Sequence, residues 1–377
     1  MKRTIALLLV LILSLSLAAC SVDEGKPIDG STAPDAPTAS TAPSESSAPT
    51  SDTDTTSTEP KYTAAELAET VMYIDGSAVS FGELRYQIAS LMNAYEYYGD
   101  GAVDWDEEIE GKPAREFFVD EAIDTCKLFR AVERYAADNG YALDDTRRAE
   151  IDEEIAGYIE NAGGEDAFDK QLVELGMDRE LYEYLIVVPE LYYVVYNSIF
   201  GEGGARELSD DAASGYFAEN YLTTRHILKV AVDDSGDYLS DEETRKVYDD
   251  IAELKAKIDG GADFKSVADE ESEDELLGET ITFELSTMPD AYIAAAQSLK
   301  PGEMSDIVDI DGAYVLVKRE ALDESYLTEN FDAIKEEYGL GLFRELLDPV
   351  RDGLSVEKTD AFSRIDVQEI YDAFFSA

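Results

Sequence analysis

The fold of the C-terminal half is decided by the stretch Arg225-His226-Ile227-Leu228-Lys229-Val230-Ala231-Val232. Its aliphatic and β-branched residues, uninterrupted by glycine or proline, predict a β-strand. Apolar spacing and an Asp311-Gly312 turn predict three helices and then two closing strands, at 241–258, 263–271, 288–299, 307–310 and 314–319. Residues 220–322 are therefore predicted to form an α+β domain, a small antiparallel sheet with helices.

The chain before this domain is mainly helical in its pattern. Val71-Met72-Tyr73-Ile74 followed by Asp75-Gly76 predicts a strand and a tight turn, and Ser80-Phe81-Gly82-Glu83 has the form of a capping box. Helices are predicted from that box to about Tyr97 and at 114–139, 145–161, 165–175 and 179–200. Pro189 is expected to kink or interrupt the last of these helices.

These patterns divide the folded part into three segments. Residues 61–215 are predicted to be a helical domain that precedes the α+β domain. Residues 323–377, with helices near 327–347 and 367–375, are too short to fold alone and are expected to pack on that helical domain.

The helix predicted over 179–200 is rich in tyrosine, at Tyr182, Tyr184, Tyr192, Tyr193 and Tyr196. Tyrosine combines a large apolar ring with a polar tip, which suits sequence-tolerant peptide binding. The same residues also suit a helix core, so both interpretations remain open.

The N-terminus has the order of an export signal. Lys2 and Arg3 precede an apolar run, too short for the ~20 residues of a spanning helix, which leads to Leu17-Ala18-Ala19-Cys20. This box resembles the lipobox of bacterial lipoproteins, which implies removal of residues 1–19 and a lipid on Cys20 at the outer face of the cytoplasmic membrane. The alternative is a secreted protein cleaved nearby, with Cys20 incidental.

A linker follows the predicted lipidation site. More than half of residues 21–60 are Ser, Thr or Pro, and none is aromatic, a composition that cannot bury a core. We expect residues 20–60 to be a disordered tether with a root-mean-square span of roughly 35 Å.

The charge balance excludes several classes of partner. Asp and Glu number 84 against 30 Lys and Arg, a net charge of −54, so a nucleic-acid partner is not expected. The acidic surface is also repelled by anionic lipid, so membrane attachment rests on Cys20. The single histidine, His226, excludes the usual zinc ligand sets, and no metal or cofactor is expected. Cys126 is expected to be a small buried apolar residue.

The α+β segment resembles the parvulin family of peptidyl-prolyl cis/trans isomerases over nearly its whole length. The resemblance rests on Arg225-His226-Ile227-Leu228, on Gly261-Ala262-Asp263-Phe264 with Ala268 and Ser272, and on Leu299-Lys300-Pro301-Gly302-Glu303-Met304-Ser305. With the lipobox and the helical domain, which resembles those of trigger factor and periplasmic chaperones, the layout is similar to extracytoplasmic foldase lipoproteins of Gram-positive bacteria. The resemblance implies unfolded or partly folded exported polypeptides as partners.

The resemblance also implies a site. An apolar pocket for the proline ring would include Met288, Tyr292 where the family usually has Phe, and Phe283. A polar patch beside it would include His226 and Asp274. Without the resemblance, Met288 and Tyr292 at i, i+4 spacing suit a helix core, His226 a core strand, and Asp274 a solvated loop.

The sequence departs from the family at several positions. The second histidine of the family falls on Tyr314, two Ser/Thr positions fall on Asp309 and Asp311, and the glycine-rich loop is contracted to Leu276-Leu277-Gly278-Glu279-Thr280. These departures predict an isomerase activity that is weak or lost and that depends more on the apolar pocket than on His226.

Three functions therefore remain open at the level of sequence. The first is a parvulin-type isomerase that acts as a foldase, and the second is a non-catalytic chaperone with a degenerate parvulin module. The third, a solute-binding lipoprotein, requires two similar α/β lobes, which the sequence does not show.

Overall fold

A computed structural model describes residues 61–98, 102–106, 108–233, 236–274, 276 and 278–375. The predicted signal segment, Cys20 and the Ser/Thr/Pro-rich linker lie outside these residues. In the described part, no helix combines the length and apolar character needed to span a membrane.

The described chain divides into two compact units. Unit 1 contains Leu128–Asp144 and Glu190–Leu354, and unit 2 contains 61–127, Asp145–Pro189 and 355–375. Each unit therefore combines segments that are far apart in the chain. The predicted domains are consecutive segments, and their boundaries stay a prediction.

The chain up to residue 200 forms mainly helices, as the sequence predicts. Its elements are α1 (Ala64–Leu67), β1 (Thr70–Ile74), β2 (Ser77–Ser80), α2 (Phe81–Tyr98), β3 (Glu108–Ile109), β4 (Lys112–Pro113), α3 (Ala114–Asn139), α4 (Asp145–Ala162), α5 (Glu165–Glu174) and α6 (Arg179–Phe200). The start of α2 is confirmed, because the Ser80 hydroxyl accepts a hydrogen bond from the Glu83 amide at 3.1 Å.

Helix α6 continues through Pro189, so of the two predicted outcomes the interruption is wrong and the kink stays a prediction. Proline removes one backbone hydrogen bond, and the packing of buried neighbours such as Val188 and Tyr192 offsets that loss. Among the tyrosines of α6, Tyr192 and Tyr196 are buried, whereas Tyr182, Tyr184 and Tyr193 are half-buried.

The chain from residue 210 carries the predicted α+β pattern and the C-terminal helices. Its elements are α7 (Asp210–Asn220), β5 (Tyr221–Val230), α8 (Asp241–Asp259), α9 (Phe264–Glu271), β6 (Ile281–Glu284), α10 (Asp290–Ser298), β7 (Val308–Asp309), β8 (Ala313–Arg319), α11 (Glu324–Glu329), α12 (Phe331–Asp352), β9 (Val356–Lys358) and α13 (Val367–Phe375). Short 3₁₀ turns occupy Leu285–Thr287 and Asp360–Arg364.

Unit 1 contains a four-stranded antiparallel sheet in the order β6-β5-β8-β7. Successive side chains of a strand point to opposite faces, so the sheet has two apolar faces. Ile227 and Leu316 lie in a core shared with α8 and α9. Val315 and Val317 lie in a second core shared with α10. This arrangement confirms the predicted α+β class with a small antiparallel sheet.

The helices of unit 1 have a core of their own. Phe343 of α12 is fully buried among apolar residues of α3 and α6. The Glu337 carboxylate accepts hydrogen bonds from the hydroxyls of Tyr216 at 3.0 Å and of Tyr221. Because Tyr221 begins β5, these bonds tie α12 to the strand that carries His226.

Unit 2 contains a three-stranded sheet in the order β2-β1-β9. The central strand β1 pairs with β9, with Ile74 opposite Val356, so the C-terminal segment completes a sheet begun near residue 70. Helix α13 packs on α2, where the Tyr371 hydroxyl donates to Glu96. Cys126 is fully buried in α3, as expected.

One element boundary differs from the sequence prediction and changes the site. Met288 does not lie in a helix, because it is extended (φ −112°, ψ 158°) and α10 begins at Asp290. A residue that precedes proline is disfavoured in the α conformation, and Pro289 follows Met288. Met288 and Tyr292 are therefore not one turn apart on a helix.

Candidate functional site

His226 lies in the middle of β5 and on the face of the sheet that packs against α10. Its backbone partner in β8 is Val317, which belongs to the core around α10. Only 7% of His226 is exposed. The imidazole therefore lies just inside the domain, where it needs hydrogen-bond partners.

Both imidazole nitrogens have partners. The Nδ1 atom lies 3.1 Å from the Tyr292 hydroxyl, and Nε2 lies 3.1 Å from Oδ2 of Asp274. The Tyr292 hydroxyl is also 2.7 Å from the Thr224 hydroxyl. Four side chains from β5, α10 and the loop after α9 thus form one continuous hydrogen-bonded chain.

The Asp274 carboxylate is positioned by its own segment. It accepts hydrogen bonds from the Ser272 hydroxyl at 2.6 Å and from the Leu276 amide at 2.7 Å. The Ser272 hydroxyl in turn accepts from the Leu228 amide of β5 at 3.0 Å. Ser272 therefore anchors the end of α9 to β5 and brings Asp274 to the imidazole.

Burial decides the protonation states in this network. Loss of solvent lowers the pKa of His226, and the neighbouring Asp274 only partly opposes this shift. Burial also raises the pKa of the Tyr292 hydroxyl, so this group keeps its proton. A neutral His226 then donates from Nε2 to Asp274 and accepts at Nδ1 from Tyr292. The tautomer of His226 is thus defined by Asp274 and Tyr292, without a second histidine.

The predicted apolar pocket is placed differently by the structure. Tyr292 is only 2% exposed, and its ring packs edge-to-face against Phe283 at a centroid distance of 5.8 Å. It therefore supports the site from within and offers a ligand almost no surface. Met288 is half-buried and packs against the same core, as do four other half-buried apolar residues, Ile281, Leu285, Val308 and Ile310.

Tyr314 is not brought to His226. Its backbone partner is Lys229, three residues after His226 on β5, so the two side chains lie on opposite faces of the sheet. Tyr314 packs against the core of α8 and α9, and its ring contacts Tyr248. Asp309 and Asp311 are exposed in and beside the β7–β8 turn. Of the predicted site residues, the structure thus joins His226, Asp274 and Tyr292, and Met288 packs against the core that contains Tyr292.

Thr224 and Ser272 belong to this site, although neither was predicted from the sequence to be part of it. A signal for both is present in the sequence. Thr224 is two residues before His226 on a strand and therefore faces the same side, and Ser272 precedes Asp274 by two residues. No group of three or more potential ligands in the described residues has the arrangement of a metal site.

The sequence over residues 226–321 matches the Rotamase family, described as the PPIC-type PPIASE domain. This part of the chain is therefore a parvulin-type peptidyl-prolyl isomerase domain, as the resemblance implied.

The chain is also similar to curated foldases. It is 30% identical over 135 residues to the foldase protein PrsA of Geobacillus kaustophilus, which covers 35% of this chain and 45% of that protein. It is 23% identical over 204 residues to PrsA of a further Geobacillus strain, which covers 51% and 72%. The first match spans less than half of that relative.

A solved structure of peptidylprolyl isomerase PrsA from Bacillus cereus covers 82% of this chain and 98% of its own. The identity is 17% and the TM-score 0.34.

The buried histidine predicts a dependence of stability on pH. The unfolded chain has a histidine pKa of about 6.5 and the folded chain a lower one. The unfolded state therefore binds the proton first, and stability is lost as pH falls below about 6.5, by at most about 1.4 kcal/mol per pH unit. We expect His226→Gln to remove the part of the pH dependence of stability that His226 contributes between pH ~7 and ~5. Denaturation curves of both proteins with parallel pH dependence would contradict a lowered pKa.

Proposed function

We propose that the chain is an extracytoplasmic foldase whose parvulin-type domain catalyses cis/trans isomerisation of X-Pro bonds in exported polypeptides. The observation that carries this proposal is the hydrogen-bonded chain Thr224–Tyr292–His226–Asp274 inside the matched domain. The partners are unfolded or partly folded chains, and no cofactor takes part.

The reaction that the site would catalyse is rotation about the X-Pro amide bond. The barrier is about 18–20 kcal/mol because resonance between the carbonyl and the proline nitrogen must be broken. The planar amide carries charge separation that water stabilises, and the twisted amide carries less. A partly desolvated surface therefore disfavours the planar form more than the twisted one.

The proposed substrate seat is the half-buried apolar surface that includes Met288, Leu285 and Ile310. Among the members of the hydrogen-bonded chain, Asp274 is the proposed polar group that contacts the substrate, because 14% of its side chain is exposed. Neutral His226 donates a hydrogen bond to Asp274 and accepts one from Tyr292. Both residues therefore act on the substrate only through Asp274, as positioning residues. A pre-organised polar group of this kind needs no rearrangement as the amide twists.

A non-catalytic holdase is the second candidate, and the placement of Tyr314 supports it, because no second histidine faces His226. Refolding of an unfolded client with a proline-limited phase of tens of seconds separates the two functions. A foldase shortens this phase at substoichiometric concentration. A holdase suppresses aggregation but leaves the phase unchanged.

Attachment to the membrane through a lipid on Cys20 is part of the same proposal and is supported by Leu17-Ala18-Ala19-Cys20. We expect Cys20→Ser to abolish lipid labelling and to release the chain from the membrane fraction or leave its signal uncut. Fractionation with labelled fatty acid checks this. Unchanged membrane retention with a correctly processed N-terminus would contradict it.

A further inference from the structure

A second surface of the parvulin-type domain exposes aromatic rings. Tyr238 is 68% exposed and Tyr248 is 42% exposed, whereas tyrosine elsewhere in this domain is buried or half-buried. Both lie near the β7–β8 turn and are linked to it by contacts of Tyr314 and Asp311. We call this surface the tyrosine face and define it by Tyr238, Tyr248, Tyr314, Asp309 and Asp311.

The rings of the tyrosine face are held in place within the domain. The Tyr248 ring meets the Tyr314 ring edge-on, at 5.3 Å between centroids and an angle of 82°. The Tyr238 hydroxyl donates to the Asp311 carboxylate at 2.6 Å. Fixed rings lose little conformational entropy when a ligand binds, so such a surface is pre-organised.

The charge around these rings is negative. Asp309, the cross-strand partner of Tyr314, is exposed, and so is Asp311. Three nearby cations each pair with a carboxylate: Arg245 with Asp249 and Lys246 with Glu242 in α8. Lys229, the cross-strand partner of Tyr314, pairs with Glu273. A ligand that meets this face therefore encounters aromatic rings and carboxylates.

We propose that the tyrosine face binds extended segments of client polypeptides that carry lysine or arginine. This inference rests on the proposed function, because unfolded exported chains are the ligands that it invokes. Cations bind over the faces of tyrosine rings, and carboxylates at the rim complement the same charge. The net charge of −54 draws basic segments towards the protein. The tyrosine face lies opposite the His226 face of the sheet, so both can be occupied together.

Fluorescence anisotropy with the full chain tests this inference. The probes are a labelled proline-free Gly/Ser peptide that carries lysines and the same peptide with glutamates in their place, at about 0.15 M salt, where exposed charges are screened beyond about 8 Å. We expect the lysine peptide alone to bind, and Tyr238→Ala with Tyr248→Ala to weaken it about tenfold. Tyr248→Phe, which keeps the ring and its edge-on contact with Tyr314, should retain most of the affinity.

The matched control is Tyr73→Ala with Tyr97→Ala in unit 2, two tyrosines that are 39% and 77% exposed. This control should leave the affinity unchanged. The inference is overturned if the lysine peptide fails to bind, if the glutamate peptide binds equally, or if the two double variants weaken binding alike. Isomerase turnover of the same preparations tests the proposed function separately, because the peptides contain no proline.

Discussion

Replacing Tyr292 by alanine is expected to destabilise the parvulin-type domain by about 3–5 kcal/mol, the usual cost of removing a buried aromatic ring. Tyr292 is 2% exposed and fills the core between β5, β6 and α10. Its removal leaves a cavity beside Phe283 and also deprives Thr224 and His226 of a common hydrogen-bond partner.

Tyr292→Phe separates the two contributions. It keeps the ring and removes the hydroxyl, so we expect a smaller loss of about 1–3 kcal/mol from the buried groups left unpaired. Amide hydrogen exchange in β5 and β8 reports this domain, whereas Trp105, the single tryptophan, lies in unit 2. If Phe costs as much as Ala, the ring does not carry the packing energy assigned to it.

Replacing Gly278 by alanine is expected to cost about 2–5 kcal/mol, the sum of a left-handed backbone penalty and a steric one. Gly278 has φ +67°, and an added Cβ would lie 2.3 Å from the Cβ of Ala268 in α9. Its carbonyl also accepts a hydrogen bond from Arg225 at 2.8 Å, next to His226. The loop that carries Asp274 should therefore shift, and turnover should fall with stability.

Gly302→Ala is the matched control for this change. Gly302 has φ +91° in the same domain, but an added Cβ would meet nothing within 4 Å. It should show the backbone penalty alone, about 1–2 kcal/mol. Equal costs for both variants, measured by denaturation, would mean that Ala268 and its helix yield to the added methyl group.

Most elements of the α+β domain could be predicted from local sequence. The aliphatic run of β5 and the Asp311-Gly312 turn gave the strands, and helical spacing gave α8 and α9 close to their observed bounds. β6 was missed because Ile281–Glu284 is only four residues long, too short for an alternating pattern to be recognised. The start of α10 was misplaced, although Pro289 carried the information.

The site could be predicted only in part. The resemblance supplied His226 and Asp274, but their contact depends on the Ser272 hydroxyl, which joins the end of α9 to Leu228 of β5. That bond is non-local in sequence, and no spacing rule predicts it. Likewise, the burial of Tyr292 depends on how α10 packs on the sheet, which the sequence pattern leaves open.

The orientation of Tyr314 depended on strand register. Successive residues of a strand point to opposite faces. A shift of the pairing by one residue therefore moves every side chain of the strand to the other face of the sheet. Only the observed pairing of His226 with Val317 and of Tyr314 with Lys229 decides that the two side chains diverge. Because His226 has defined partners on both nitrogens, we expect its removal to affect turnover more than the sequence alone predicts.

Isomerase turnover of the purified chain on an Ala-Pro peptide tests the central claim most directly. The claim predicts catalysis above the uncatalysed rate and a loss of about tenfold or more in His226→Ala, since a tenfold loss is about 1.4 kcal/mol and breaking a buried network costs about 1–3 kcal/mol. Tyr314→Phe, on the opposite face, should leave kcat/KM unchanged. A wild-type rate equal to the uncatalysed one, or a larger loss in Tyr314→Phe than in His226→Ala, would contradict the claim.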